Sequence, residues 1–186
     1  MKRPARDITS LIRLLAVFKT PNIAWLSYKI WYTVCKQSNY MIVAKIFDPF
    51  NKPSELEKNE IVDFLFDNLE QYGDSKSDIK KAIEYSIKEF TSFGGFTMLL
   101  MDNDVIVGST VINETGMGGY IPENILVYIA THKEYRGKGL GKTLMEKVID
   151  HSKGDIALHV DANNPARHLY EKFGFSNPYL EMRLKK

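Results

Sequence analysis

The chain has 186 residues, a net charge of +2, 44% hydrophobic residues and 12% aromatic residues. That is ample apolar material for a packed core, and too little charge for a dedicated nucleic-acid binder or a disordered polyelectrolyte. The single cysteine, Cys35, excludes an internal disulfide and a cysteine metal cluster and suits a reducing compartment; no uncharged apolar run reaches 18 residues, so no transmembrane span is predicted.

Lys2, Arg3, Arg6, Arg13, Lys19, Lys29 and Lys36 crowd the first 40 positions against one acidic residue, Asp7, and both tryptophans, Trp25 and Trp31, lie there too. This shift in composition divides a basic amphipathic helical extension, 1–39, from a main domain, 40–186. Ile8, Leu11, Ile12, Leu15 and Phe18 repeat at helical spacing, and Pro21 restarts a second helix through Gln37. That second helix is apolar nearly all round, which favours packing on protein, including on a second copy as a homodimer, over contact with an anionic membrane surface. Arg13, Lys19 and Lys29 interrupt the apolar runs, so the segment does not read as a signal peptide and the protein is expected in the cytoplasm.

The main domain begins with a β-branched strand, "YMIVAKIF", over 40–47. Ser54 with Glu57 forms a capping box for a helix through Leu56, Ile61, Leu65 and Leu69 to Gly73. Ser77 is predicted to cap a further helix through Phe90. Two strands within "FTMLLMDNDVIVGSTVI" meet at the tight-turn pair Asn103-Asp104. The strand "NILVYIAT" follows, then a helix with Leu144 and Val148 on its apolar face. "DIALHVDA" reads as a strand, "NPARHLYEKFG" as a short helix and "YLEMRL" as a closing strand. The order predicts an α/β fold around a mixed, partly antiparallel sheet.

"YRGKGLGK", residues 135–142, holds three glycines and three cations between a strand and a helix. A P-loop would need glycine at position 136, which is Arg136; a dinucleotide fingerprint would need it at 142, which is Lys142. Arg-x-x-Gly-x-Gly, from Arg136 through Gly139 to Gly141, does fit. Glycines let successive amides approach an anion, and the start of a helix adds its own unsatisfied N–H groups. Such a turn is suited to a pyrophosphate.

"VYIATHKEYRGKGLGKTLMEKVI", followed by "NNPARHLYEKFGF", resembles the two signatures of the GNAT superfamily of acetyl-CoA-dependent N-acetyltransferases. The resemblance spans roughly residues 40–184 and leaves 1–39 aside. It implies a sheet splayed between the fourth and fifth strands, with the cofactor arm in the gap. Val127 and Ile129 would offer main-chain groups to that arm, and Arg136, Gly137, Lys138, Gly139, Leu140, Gly141 and Lys142 would hold the pyrophosphate. Asn163 would bond the arm, or cap the following helix. Tyr170 would protonate the leaving thiolate, and Glu123 would take a proton from the amine, with His132 and Glu114 as further candidates.

The implied reaction is acetyl transfer from acetyl-CoA to a primary amine in a ternary complex. A CoA-binding regulatory module without turnover and a transferase of longer acyl groups are the alternatives. No metal is expected: His151, His159, Asp161 and His168 lack ligand spacing. Asp67, Glu70, Asp74 and Asp78 gather where two helices meet, and read as solvated helix ends as readily as a lure for a cationic amine.

Overall fold

The computed structural model describes residues 42–184. The expected extension over 1–39 and its boundary lie outside the described residues. Five strands form one sheet in the order β1 (Val43–Phe47), β2 (Gly95–Asp102), β3 (Val105–Glu114), β4 (Asn124–Thr131) and β5 (Ile156–Leu158). The first three pairings are antiparallel and the last is parallel. Among the described residues no helix is long and apolar enough to cross a membrane.

Helices cover both faces. Helix α1 (Glu55–Leu69) starts at the capping box read from the sequence: Ser54 accepts from the Glu57 amide, and Glu57 reaches back to the Ser54 N–H. Helix α2 (Lys76–Ser86) is capped by Ser75, two residues earlier than the Ser77 expected; Ser77 instead bonds the Ser75 hydroxyl at 2.7 Å. It also stops at Ser86, well short of Phe90: Lys88 takes a positive φ of 52°, and the Tyr85 carbonyl accepts from the Lys88 N–H at 3.1 Å and from Ser92 Oγ at 2.8 Å. Ile61, Leu65, Ile79 and Ile83 of these helices are buried with Leu99 and Val111 of the sheet. Lys58 is only 1% exposed and is neutralised by Glu55 at 2.7 Å and Glu89 at 2.6 Å, which ties α1 to the chain leaving α2.

On the other face, α3 (Leu140–His151) packs Leu144, Met145 and Val148 against Met98, Leu100 and Ile112. Each such side chain, fully removed from water, contributes about 1.5–3 kcal/mol. A short helix, α4 (Arg167–Lys172), adds Tyr170 to the same cluster.

The β2–β3 turn forms where expected, with Asn103 and Asp104 both at positive φ (47° and 66°). Two strands differ from expectation. β5 is three residues long rather than eight, and residues 179–184 form no strand. The ladder beside β5 ends at Leu158, and Tyr179, Leu180, Met182 and Leu184 stand 84–93% exposed without a sheet to pack on. Alternating apolar residues make a strand only where a neighbouring backbone accepts it.

Candidate active site

β4 changes character halfway along. Ile112 pairs with Leu126 and Val111 with Tyr128, so Val127 is an extra, bulged residue. A bulge shifts the period of two by one. Leu126 therefore packs toward α3, whereas Tyr128 packs toward α1 and α2. The backbone swings with it. Asn124 N–H bonds Asp155 O at 3.0 Å, facing β5, while His132 N–H bonds Val107 O at 3.0 Å, facing β3. Alternation along the ladder then turns the main-chain groups of Ile129 and Thr131 away from β3. On that side β5 pairs only with Asn124, Ile125 and Leu126. The strands part beyond this point, and Ile129 presents its amide to the gap.

The chain leaves β4 through a single turn of 3₁₀ helix (Lys133–Tyr135) and enters α3 through glycines. Gly137 and Gly139 hold φ of 74° and 84°, and a Cβ at either would meet nothing within 4 Å. Positive φ explains the glycines, and the open space keeps their amides accessible. Gly139 caps α3 with no side-chain bond, and the Thr143 N–H makes the helix's first bond, to Gly139 O at 3.0 Å. The amides at 140–142 therefore have no intrahelical partner. These residues line a cleft of about 480 Å³ with Thr131, Tyr135, Pro165, Ala166 and Leu169. Gly141 lies within the helix, where a Cβ would touch Leu169 and Thr131.

The cations of the loop are differently employed. Arg136 donates to Asn68 O at 2.9 Å and to Glu70 Oε1 at 3.2 Å, gripping the end of α1. Lys138 Nζ sits 4.4 Å from the centre of the Tyr135 ring, whose hydroxyl donates to buried Asp102 at 3.0 Å. Lys142 lies 3.5 Å from Glu146 on the exposed side of α3.

Tyr170 is 7% exposed and its ring meets Phe175 edge to face. Burial alone pushes its phenol up to about 12, with no hydrogen bond contributing. It shares its apolar cluster with Leu126 and Leu140, with Ile129 at the margin. Asn163 is exposed and its carbonyl accepts from Tyr72 at 3.5 Å. Asn163 does not cap α4, whose N-cap is Ala166 with no side-chain bond; in the turn before it Asn164 Oδ1 accepts the Ala166 N–H at 2.9 Å.

The structure does not gather Glu123 with these groups. It precedes the closed end of β4, and its Oε2 accepts the Asp155 N–H at 2.7 Å. Amides of Asp155, of Glu123 itself and of Gly119 hold its carboxyl below the usual range. That makes Glu123 a weaker base than an ordinary glutamate and a latch between the strands. His132 accepts the Glu134 N–H at 3.3 Å through Nδ1, and the backbone carbonyl of Glu114 accepts from Tyr85 at 3.0 Å. No group of residues able to hold a metal ion occurs among the described residues.

Residues 59–175 match the family model described as the Acetyltransferase (GNAT) family. The chain belongs to the GNAT acetyltransferase family. That family is described as one of acetyltransferases. This GNAT chain is 30% identical over 95 residues to the mouse (Mus musculus) cysteine-rich protein 2-binding protein, 48% of the chain and 11% of that protein. It is 28% identical over 85 residues to N-alpha-acetyltransferase 30 of Schizosaccharomyces pombe, 43% of the chain and 57% of that protein. The chain thus spans well under two thirds of either relative. Among solved structures, an aminoglycoside N-acetyltransferase AAC(6')-Iy in complex with CoA shares its fold, with a TM-score of 0.56 and 13% identity over 78% of this chain and 95% of that one.

One contact of this GNAT site escaped the sequence reading. Tyr128 donates its hydroxyl to Asp74 at 2.7 Å, and burial together with that carboxylate raises its phenol above the usual value. Alternation in "NILVYIAT" places Tyr128 on the same face as Leu126; only the bulge sends it to the other.

Proposed function

We propose that this GNAT protein transfers an acetyl group from acetyl-CoA to a primary amine by direct attack in a ternary complex. The observation that carries the reading is the unpaired upper edge of β4, which leads into a turn of accessible amides. The residues fit the donor: unpaired N–H groups at 140–142 and open space over Gly137 and Gly139 suit a diphosphate, with Lys138 and Lys142 adding charge. Arg136 serves this site chiefly by fixing the loop to α1.

When bound, acetyl-CoA supplies an activated thioester. The Ile129 N–H and the neighbouring Val127 backbone would hold the arm as an added strand, and the Ile129 amide polarises the acyl carbonyl. Asn163, exposed beside the gap, offers its side chain to the same arm. Tyr170 stays protonated across the working pH range and donates its proton as the carbon–sulfur bond breaks. With Glu123 latched to Asp155, the amine's proton leaves to water in the open cleft.

Calorimetry with CoA and acetyl-CoA, alongside free-thiol release with a panel of primary amines, tests the reading. Binding of both, with thiol released only when an amine is present, is the expected result. Binding with no thiol from any amine would favour a CoA-responsive module, and no binding would remove the reading altogether.

A further inference from the structure

The turn between α1 and α2, residues 70–75, touches three separate walls of the gap. At its start Glu70 Oε1 receives Arg136 at 3.2 Å and lies 3.7 Å from Lys133 Nζ. Asn68, two residues back, reinforces this contact: its carbonyl accepts from Arg136 at 2.9 Å and its Oδ1 accepts the Lys133 N–H at 3.1 Å. In the middle, Tyr72 reaches the Asn163 carbonyl beyond β5 at 3.5 Å. At the end, Asp74 accepts the Tyr128 hydroxyl from the open half of β4 at 2.7 Å.

Residues 70–72 contain no buried side chain, so polar ties rather than core packing set the turn's position. Glu70 itself holds φ 55° and ψ −130°, a backbone conformation that glycine adopts readily and glutamate does not. Glycine would serve the turn better than glutamate. What glycine cannot supply is the carboxylate that engages Arg136 and Lys133.

We propose that Glu70 is a positioning residue through which the diphosphate loop sets the α1–α2 turn, so that filling the CoA cleft orders the wall beside the open half of β4, where the amine arrives. Arg136 is the shared element: it opens the glycine turn and grips the end of α1. A diphosphate that fixes the amides of 137–142 also fixes Arg136, and Arg136 carries the restraint to Glu70. Asp74 and Tyr72 then hold the far side of the turn against Tyr128 and Asn163.

This inference rests on the CoA reading above, and the test separates the two. Hydrogen exchange over residues 69–79 is followed in the full chain with and without saturating CoA, for wild type, Glu70→Gln and Glu70→Gly. CoA is expected to slow exchange of the turn in wild type and to leave it unchanged in both variants. Calorimetric affinity for CoA should move less than about fivefold, since an exposed ion pair is lost. Glu70→Gly should melt at or above the wild-type temperature, which shows that the fold is intact while the link is gone. The proposal is overturned if the turn responds to CoA equally in the variants, or if the wild-type turn ignores CoA that calorimetry shows to be bound. A wild type that binds no CoA brings down the functional reading and this link with it.

Discussion

The two ends of β4 are built from the same kind of sequence and do opposite things. Below Val127, Asn124 to Leu126 are zipped to β5, with Asn124 Nδ2 donating to Lys153 O at 2.6 Å and Glu123 gripping the Asp155 N–H. Above it, no strand among the described residues pairs with Ile129 and Thr131 on that side, and the chain runs into glycines with accessible amides. One bulged residue separates a closed ladder from an open edge. A sheet thus opens a cleft without losing its core: side chains above and below the bulge still pack, on opposite faces.

Perturbing the open end should act on chemistry and binding, and perturbing the closed end on stability. The largest effect is expected at Tyr170→Phe, which should lower kcat by roughly 10²–10⁴ with little change in CoA affinity. Steady-state kinetics beside calorimetry checks this, and an unchanged kcat would retire the proton-donor role. At the closed end, Asn124→Ala removes a buried amide that donates to the Lys153 and Asp155 carbonyls and should cost about 0.5–1.5 kcal/mol of stability, read from denaturant unfolding. A variant as stable as wild type would show that the zipped end does not depend on this amide.

Gly139→Val tests the turn. A β-branched residue at φ 84° costs about 1–2 kcal/mol and displaces the amides, so CoA affinity should fall by about tenfold. Retained affinity would mean that the phosphates do not use this backbone. The smallest effect belongs to Glu123. Its folded-state carboxyl lies below its unfolded value, so its contribution is present above that unfolded value and fades as the pH falls through the folded one. Glu123→Gln should therefore flatten the acid side of the stability–pH curve while leaving the pH dependence of kcat alone. A shift in the kcat profile instead would return Glu123 to the role of base.

Much of the fold was legible because its signals are local. The Ser54–Glu57 capping box, the Asn103-Asp104 turn and the whole of β4 each depend on a few adjacent residues. The failures share a cause. Ser75 and Ser77 are equally good caps in sequence, and it is Ser75 that accepts the Asp78 N–H. "YLEMRL" alternates as a strand should, yet its partner ladder stops at Leu158. At the site, the glycine turn was readable from spacing, whereas the grip of Arg136 on Asn68 and Glu70 joins positions 66–68 residues apart.

The sequence by itself determined the order of elements, the core faces of the helices and a backbone able to receive a diphosphate, since each follows from neighbours along the chain. Only the tertiary structure decided where β4 turns over, which carboxylates are already engaged and how the α1–α2 turn is moored. Those depend on a one-residue mismatch between strands and on charges brought together from distant positions, and neither leaves a local trace.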